Sequence, residues 1–184
     1  MIKSLIHAMC LMHDLTMKVG RRLLILLTKP RFADYLRSVL LNPFDSFHHG
    51  RIRIGSDIFR GSGAVFHASK SGIQMGSKVM FGRQVMIRGG DHNTAEVGRF
   101  MFDVREQLPE NDQLVVIEDD VWVGARTALL KGVTIGAKSV IAVGSLVTRS
   151  IRAYSIAAGV PARVVKARFS GGDLDRHKPI LGTR

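Results

Sequence analysis

His92 is the leading candidate of this chain for acid–base chemistry, the alternative being an ordinary surface-loop histidine. It stands in the stretch GGDHNT, at the point where a regular repeat breaks off. An imidazole with an ordinary pKa of ~6.5 is largely neutral at pH 7, so it can take a proton from a hydroxyl while that oxygen attacks an electrophile. Asp91 precedes it, but neighbours in an extended chain point to opposite faces, which disfavours Asp91 as the group that orients the ring and leaves a main-chain carbonyl as the alternative. Asn93 either bonds a substrate or turns the chain. Cys10 is the only cysteine. It allows no intrachain disulfide, and its apolar surroundings suit packing rather than nucleophilic chemistry. A zinc site needs three ligands or more. The histidines inside the repeat are His67 and His92, 25 positions apart, so no metal is expected.

Six hexads run from Ile117 to Arg152: IEDDVW, VGARTA, LLKGVT, IGAKSV, IAVGSL and VTRSIR. The first position is always aliphatic: Ile117, Val123, Leu129, Ile135, Ile141, Val147. The fifth is small or β-branched: Val121, Thr127, Val133, Ser139, Ser145, Ile151. A period of six suits neither an amphipathic helix nor simple strand alternation. It predicts an all-β solenoid in which each hexad is a short strand and a corner, with one aliphatic side chain pointing inward. Gly124 and Gly136 at the second position suit a corner with relaxed backbone sterics. Similar hexads begin near Ile52, where RGSGAV puts Arg60 at an inward position, so that either Arg60 turns outward or the coil is irregular. After Asp91 the register would place Asn93, Arg99, Arg105 and Asn111 inside, so residues 92–114 form an excursion that Ile117 closes. Its Phe100, Met101 and Phe102 call for cover by a neighbouring subunit or a cleft.

The run from Ile117 to Lys166, with VWVG around Trp122 and the closing AAGVPARVVK, resembles the hexapeptide-repeat acyltransferases. Within them it is most similar to the maltose, galactoside and xenobiotic O-acetyltransferases. The likeness spans roughly residues 52–168. It implies a left-handed parallel β-helix, a homotrimer, and transfer of acetyl from acetyl-coenzyme A to a hydroxyl. His92 matches the family's general base, and Trp122 matches a residue that borders the acceptor. The coenzyme's pantetheine arm would lie in the groove between adjacent β-helices. The matching positions are Ala125, Ala142, Val143, Thr148 and Arg149, then Arg163 and Lys166. Ala125 replaces a residue that is Ser in some relatives, so only its amide could act. Arg149, Arg163 and Lys166 suit coenzyme phosphates, or are solvated surface charges. No residue matches an acyl carrier on the enzyme, which implies direct transfer in a ternary complex. The carbonic-anhydrase relatives on this fold cluster their histidines, and this chain does not. The expected acceptor is a sugar or polysaccharide precursor. The alternatives are a hydroxylated xenobiotic or antibiotic and, third, a scaffold without catalysis.

The chain divides into residues 1–50, an N-terminal helical segment; 51–168, the β-helix, with a short cap that leaves the coil from Val164 on; and 169–184, a tail. Leu5, Ile6, Met9, Met12 and Leu15 recur at helical spacing, and Pro30 ends the pattern. The apolar run Leu23–Leu27 is far short of the ~20 residues that span a bilayer, and no signal-peptide cleavage site follows it. The segment packs on the β-helix or a subunit, or lies on an anionic membrane. Formal charge is +12. Residues 1–53 carry nine basic against three acidic side chains, residues 149–184 eight against two, and residues 91–120 two against nine. Basic ends around an acidic middle, without a recognition-helix motif, argue against nucleic acid. The expected location is the cytoplasm, with peripheral contact at the membrane's inner face.

Overall fold

The computed structural model describes residues 9, 11–13, 15–20, 23, 34–35, 46–47 and 49–181. Two short strands, β1 (Asp34–Tyr35) and β2 (Ser46–Phe47), precede a stack of three-strand coils. The first coil holds β3 (Ile52–Ile54), β4 (Phe59–Arg60) and β5 (Val65–His67). The second holds β6 (Ile73–Met75), β7 (Met80–Phe81) and β8 (Met86–Arg88). After the excursion come β9 (Val115–Ile117), β10 (Trp122–Val123) and β11 (Ala128–Leu129), then β12 (Thr134–Ile135), β13 (Val140–Ile141) and β14 (Leu146–Val147). β15 (Ser155–Gly159) and β16 (Ala162–Ala167) close the stack as an antiparallel hairpin.

Each coil contributes one strand to each of three parallel sheets. Face 1 is β1-β3-β6-β9-β12, face 2 is β4-β7-β10-β13-β15-β16, and face 3 is β2-β5-β8-β11-β14. All twelve repeat positions singled out in the hexads are buried in the interior. The first-position aliphatics stack at the ends of short strands, and burying each contributes roughly 1.5–3 kcal/mol. The polar fifth positions are affordable because each hydroxyl bonds the backbone of a corner. Thr127 Oγ1 donates to the Ala142 carbonyl at 3.2 Å, Ser139 Oγ to Arg152 at 2.9 Å and Ser145 Oγ to Ala142 at 2.7 Å.

Two kinds of corner geometry separate in the structure. At the second hexad position the glycine is required by axial crowding, since a Cβ on Gly124 would lie 2.5 Å from the Val143 nitrogen of the next coil. The left-handed backbone falls instead at the fourth position. Asp120, Arg126 and Lys138 have φ of 55–60°, and Gly132 and Gly144 take the same role.

Four features differ from the sequence expectations. Arg60 points inward and is 6% exposed, in register with Phe81 at the N-terminal end of the core. Solenoid pairing starts before residue 51, because β1 joins face 1 and β2 joins face 3 from within the segment expected to be helical. The cap is strand β16, which folds back on β15 rather than leaving the stack. The expected tail contains helix α1 (Gly171–Leu181). Gly171, Gly172 and Pro179 disfavour helix locally, but Phe169 and Tyr154 hold His177 through ring contacts at 4.5 and 6.3 Å. Of the N-terminal apolar residues, Met9, Met12, Leu15 and Leu23 are helical and exposed, whereas Leu5, Ile6 and Cys10 lie outside the described residues.

Candidate functional site

β8 delivers the chain to Gly89 and Gly90 at the corner between faces 3 and 1. Here the excursion leaves and returns through a narrow neck. The Asp91 amide donates to the Asn111 carbonyl at 2.9 Å, and the Gln113 amide to Gly89 at 3.1 Å. A Cβ on Gly90 would meet Ser69 Oγ and, at 2.9 Å, the Asn111 carbonyl, so the two sides of the neck fit only a glycine there. Asn111 fastens the neck with its side chain. Its Oδ1 accepts from the Leu108 amide at 3.0 Å, and its Nδ2 donates to Asp91 Oδ1 at 3.0 Å and to the His92 carbonyl at 3.3 Å. The Asn111 carboxamide is buried and has all these partners within the loop, so it sets the direction in which His92 leaves the coil.

Asp91 does not reach its neighbour's ring as an orienter. Its carboxylate is bonded by Asn111 and by Lys131 Nζ at 2.7 Å, from the equivalent corner of the next coil. Burial acts to raise its pKa, but the Lys131 and Asn111 hydrogen bonds outweigh it and hold Asp91 below the usual value. Asp112 anchors the other side of the neck to the preceding coil, accepting from the Lys70 and Ser71 amides at 2.8 and 2.9 Å. Its pKa is lowered too: partial burial opposes this, and the two backbone bonds prevail. The neck is therefore tied to the coils above and below it. His92 stands exposed at its root. Asn93 is buried, and its Oδ1 accepts from the Ala95 amide at 3.0 Å, which closes a turn directly after the imidazole.

Beyond the turn, residues 94–103 of the excursion are open to solvent. Val97 is 94% exposed and Phe100 and Phe102 are each 81% exposed in the single chain. Trp122 points outward from face 2, in register with Met80 and Val140, and Phe59 precedes Met80 in the same ladder. Three of these side chains, Phe59, Met80 and Trp122, are exposed.

The residues matched to coenzyme binding fall at three places. Ala125, Ala142 and Val143 lie on the corner between faces 2 and 3, and Val143 projects from it. Thr148 and Arg149 lie on the corner between faces 3 and 1, the corner that also carries His92. Arg163 and Lys166 are exposed on β16, where Arg163 Nη1 donates to the Ala162 carbonyl at 2.9 Å. Within one chain the width of face 3 separates Thr148 and Arg149 from Ala125, Ala142 and Val143, so no single copy gathers all three places. Asn111 and Lys131 escaped the sequence reading. The turn-forming stretch Pro109-Glu110-Asn111-Asp112 was the available signal for the first, and nothing local marks the second. Among the described residues no group of three His, Cys, Asp or Glu is placed to hold a metal ion. No helix among them is long and apolar enough to cross a membrane.

No family model matches the chain. Individual relatives do. A galactoside O-acetyltransferase of Lactococcus lactis subsp. lactis (strain IL1403) is 30% identical over 150 residues, covering 80% of this chain and 69% of the relative. A chloramphenicol acetyltransferase of Agrobacterium fabrum is 30% identical over 133 residues, 67% of this chain and 55% of the relative. Among solved structures, a hexapeptide-repeat-containing acetyltransferase from Vibrio cholerae, complexed with acetyl-coenzyme A, superposes with a TM-score of 0.69 at 27% identity, covering 79% of this chain and 76% of that one.

Proposed function

We propose, for a chain that belongs to the hexapeptide-repeat acyltransferases and is an acetyl-coenzyme A-dependent acetyltransferase, that the acceptor is a hydroxyl of a sugar or polysaccharide precursor and that His92 is the general base. In this reading His92 removes the hydroxyl proton as the oxygen attacks the thioester carbonyl. The tetrahedral centre then expels the coenzyme A sulfur, and the His92 imidazolium returns the proton to it. The observation that carries the assignment is the neck. Hydrogen bonds from Asn111, with Asp91 held by Lys131, fix the backbone on both sides of one exposed histidine. Such fixing is what a positioned base requires, and an ordinary surface-loop histidine does not need it. Asn93 holds the turn that follows, and Trp122 offers an aromatic face to the acceptor.

The active form is proposed to be a homotrimer. Two observations support this. The Phe59–Met80–Trp122 ladder and the apolar tip of the excursion are exposed in one chain and need cover. The coenzyme-matched residues lie on different corners, so a groove between copies, flanked by one corner from each, would bring them together. Arg149, Arg163 and Lys166 would then hold the coenzyme phosphates. The chain is proposed to work in the cytoplasm. The exposed helical residues Met9, Met12 and Leu15, with Lys18 close by in sequence, support contact of this segment with an anionic membrane surface, where a lipid-linked saccharide would be met. A second acceptor class, a hydroxylated antibiotic, is favoured by the chloramphenicol acetyltransferase relative, whose identity equals that of the galactoside enzyme.

Replacing His92 with Ala tests the chemistry. A positioned base supplies about 10²–10⁴ in rate, so acetyl transfer should fall by that factor while acetyl-coenzyme A still binds. Near-normal turnover by the variant would remove His92 from its role. Comparing sugars with hydroxylated drugs as acceptors separates the two readings.

A further inference from the structure

The corner between faces 2 and 3 holds a recess of about 560 Å³ that includes Ala125 and Val143, two of the coenzyme-matched residues. Ser62, Arg83, Gln84 and Arg126 complete most of its wall, and no acidic side chain lines it. Arg126 Nε donates to Gln84 Oε1 at 3.1 Å across one coil, which holds that guanidinium in the recess. Among the described residues, no carboxylate pairs with Arg83 or Arg126. The floor is rigid because successive corners touch backbone to backbone at Gly82 and Gly124.

We propose that Arg83 and Arg126 form a recognition site for an anionic group, a phosphate or a carboxylate, carried by the acceptor. This rests on the acetyl-transfer reading above and specifies the substrate class for it. Planar guanidinium groups bind carboxylates and phosphates in a bidentate manner, and two of them without a protein counter-ion attract such a group. Height along the solenoid assigns the anion to the acceptor rather than to the coenzyme. Arg83 lies between β7 and β8, on the same coil as His92, and Arg126 follows β10 one coil later. Arg163 and Lys166 lie on β16, which is three strands from β10 and four from β7 in face 2. At ~4.8 Å per strand this puts the two basic clusters about 14–19 Å apart along the groove. Coenzyme phosphates held at β16 leave Arg83 and Arg126 at the reacting end, the first level with the base and the second one coil from it. Trp122, immediately before this corner on face 2, adds an apolar surface beside the charge. An acidic sugar or a sugar phosphate presents both complements.

The experiment compares wild type, Arg83→Gln, Arg126→Gln and the double variant. The acceptors are methyl glucoside, methyl glucuronide and glucose 1-phosphate, with KM measured for each acceptor and for acetyl-coenzyme A. Wild type should prefer the acidic acceptors. The double variant should raise their KM by about tenfold or more, with KM for methyl glucoside and for acetyl-coenzyme A unchanged. A rise in KM for acetyl-coenzyme A with every acceptor would assign the arginines to the coenzyme and overturn the proposal, as would a wild type without acidic preference. If none of the sugars is acetylated, calorimetric titration with glucose 1-phosphate in the presence of coenzyme A separates the two ideas. Binding that weakens in the double variant upholds the anion site while the sugar acetyl-transfer reading fails. Absence of binding by wild type overturns the site itself.

Discussion

Replacing Asn111 with Ala should loosen the neck beneath His92 without touching any substrate. The substitution removes three hydrogen bonds: two between neutral groups, to the Leu108 amide and the His92 carbonyl, and one to the charged Asp91 carboxylate. Neutral bonds contribute about 0.5–1.5 kcal/mol each and a charged one about 1.5–3. Their simple sum overstates the loss, because water replaces part of it and the Lys131 bond to Asp91 remains. A local cost of about 2–4 kcal/mol is expected, which raises the opening equilibrium of the neck by roughly thirty- to several-hundred-fold. Hydrogen exchange reads this directly at the Asp91 and Gln113 amides, which bond across the neck. Both should lose protection by that factor, while the Val123 and Ile141 amides in the coils keep theirs. Turnover should fall, and KM for acetyl-coenzyme A should stay unchanged, since Asn111 acts only through the direction of His92. Unchanged exchange at Asp91 and Gln113 would refute the idea that Asn111 holds the neck. Normal exchange with lost activity would move Asn111 into contact with substrate.

Light scattering should find a trimer, and a stable, active monomer would contradict the shared groove. Arg163→Ala should raise KM for acetyl-coenzyme A far more than KM for a donor lacking the 3′-phosphate; equal loss with both donors would show that Arg163 does not read that phosphate. Asp91, whose pKa is lowered in the folded chain, contributes stability that is present above its unfolded value of ~3.9 and is lost as pH falls through the folded value. Proteolysis of the excursion should therefore accelerate in wild type as pH drops below about 4, and Lys131→Met should bring a similar susceptibility at neutral pH. Equal resistance of both proteins across this range would show that the Asp91–Lys131 pair does not hold the loop.

The hexads determined the solenoid by themselves because a period of six leaves only one way to bury an aliphatic side chain per strand. Ile117 and its five successors therefore line the interior as their spacing required. The breakdown of that register after Asp91 likewise marked the excursion, and with it the exposed histidine at its root. The corner chemistry was only half visible. Glycine at the second position was plain, but the left-handed backbone at the fourth is carried by Asp120, Arg126 and Lys138 as well as by glycine, so composition hid it. Tertiary structure alone decided what holds His92, since Asn111 and Lys131 come to Asp91 from 20 and 40 residues away. It alone turned Gly171–Leu181 into a helix, through aromatic contacts that outweigh poor local propensity. It also separated the coenzyme-matched residues onto different corners, because positions six residues apart in sequence pass to different faces of the prism. Hexad spacing states which side chains point inward. Which outward ones become neighbours depends on the axial stacking of coils, and that brings Gln84 beside Arg126 across 42 residues of chain.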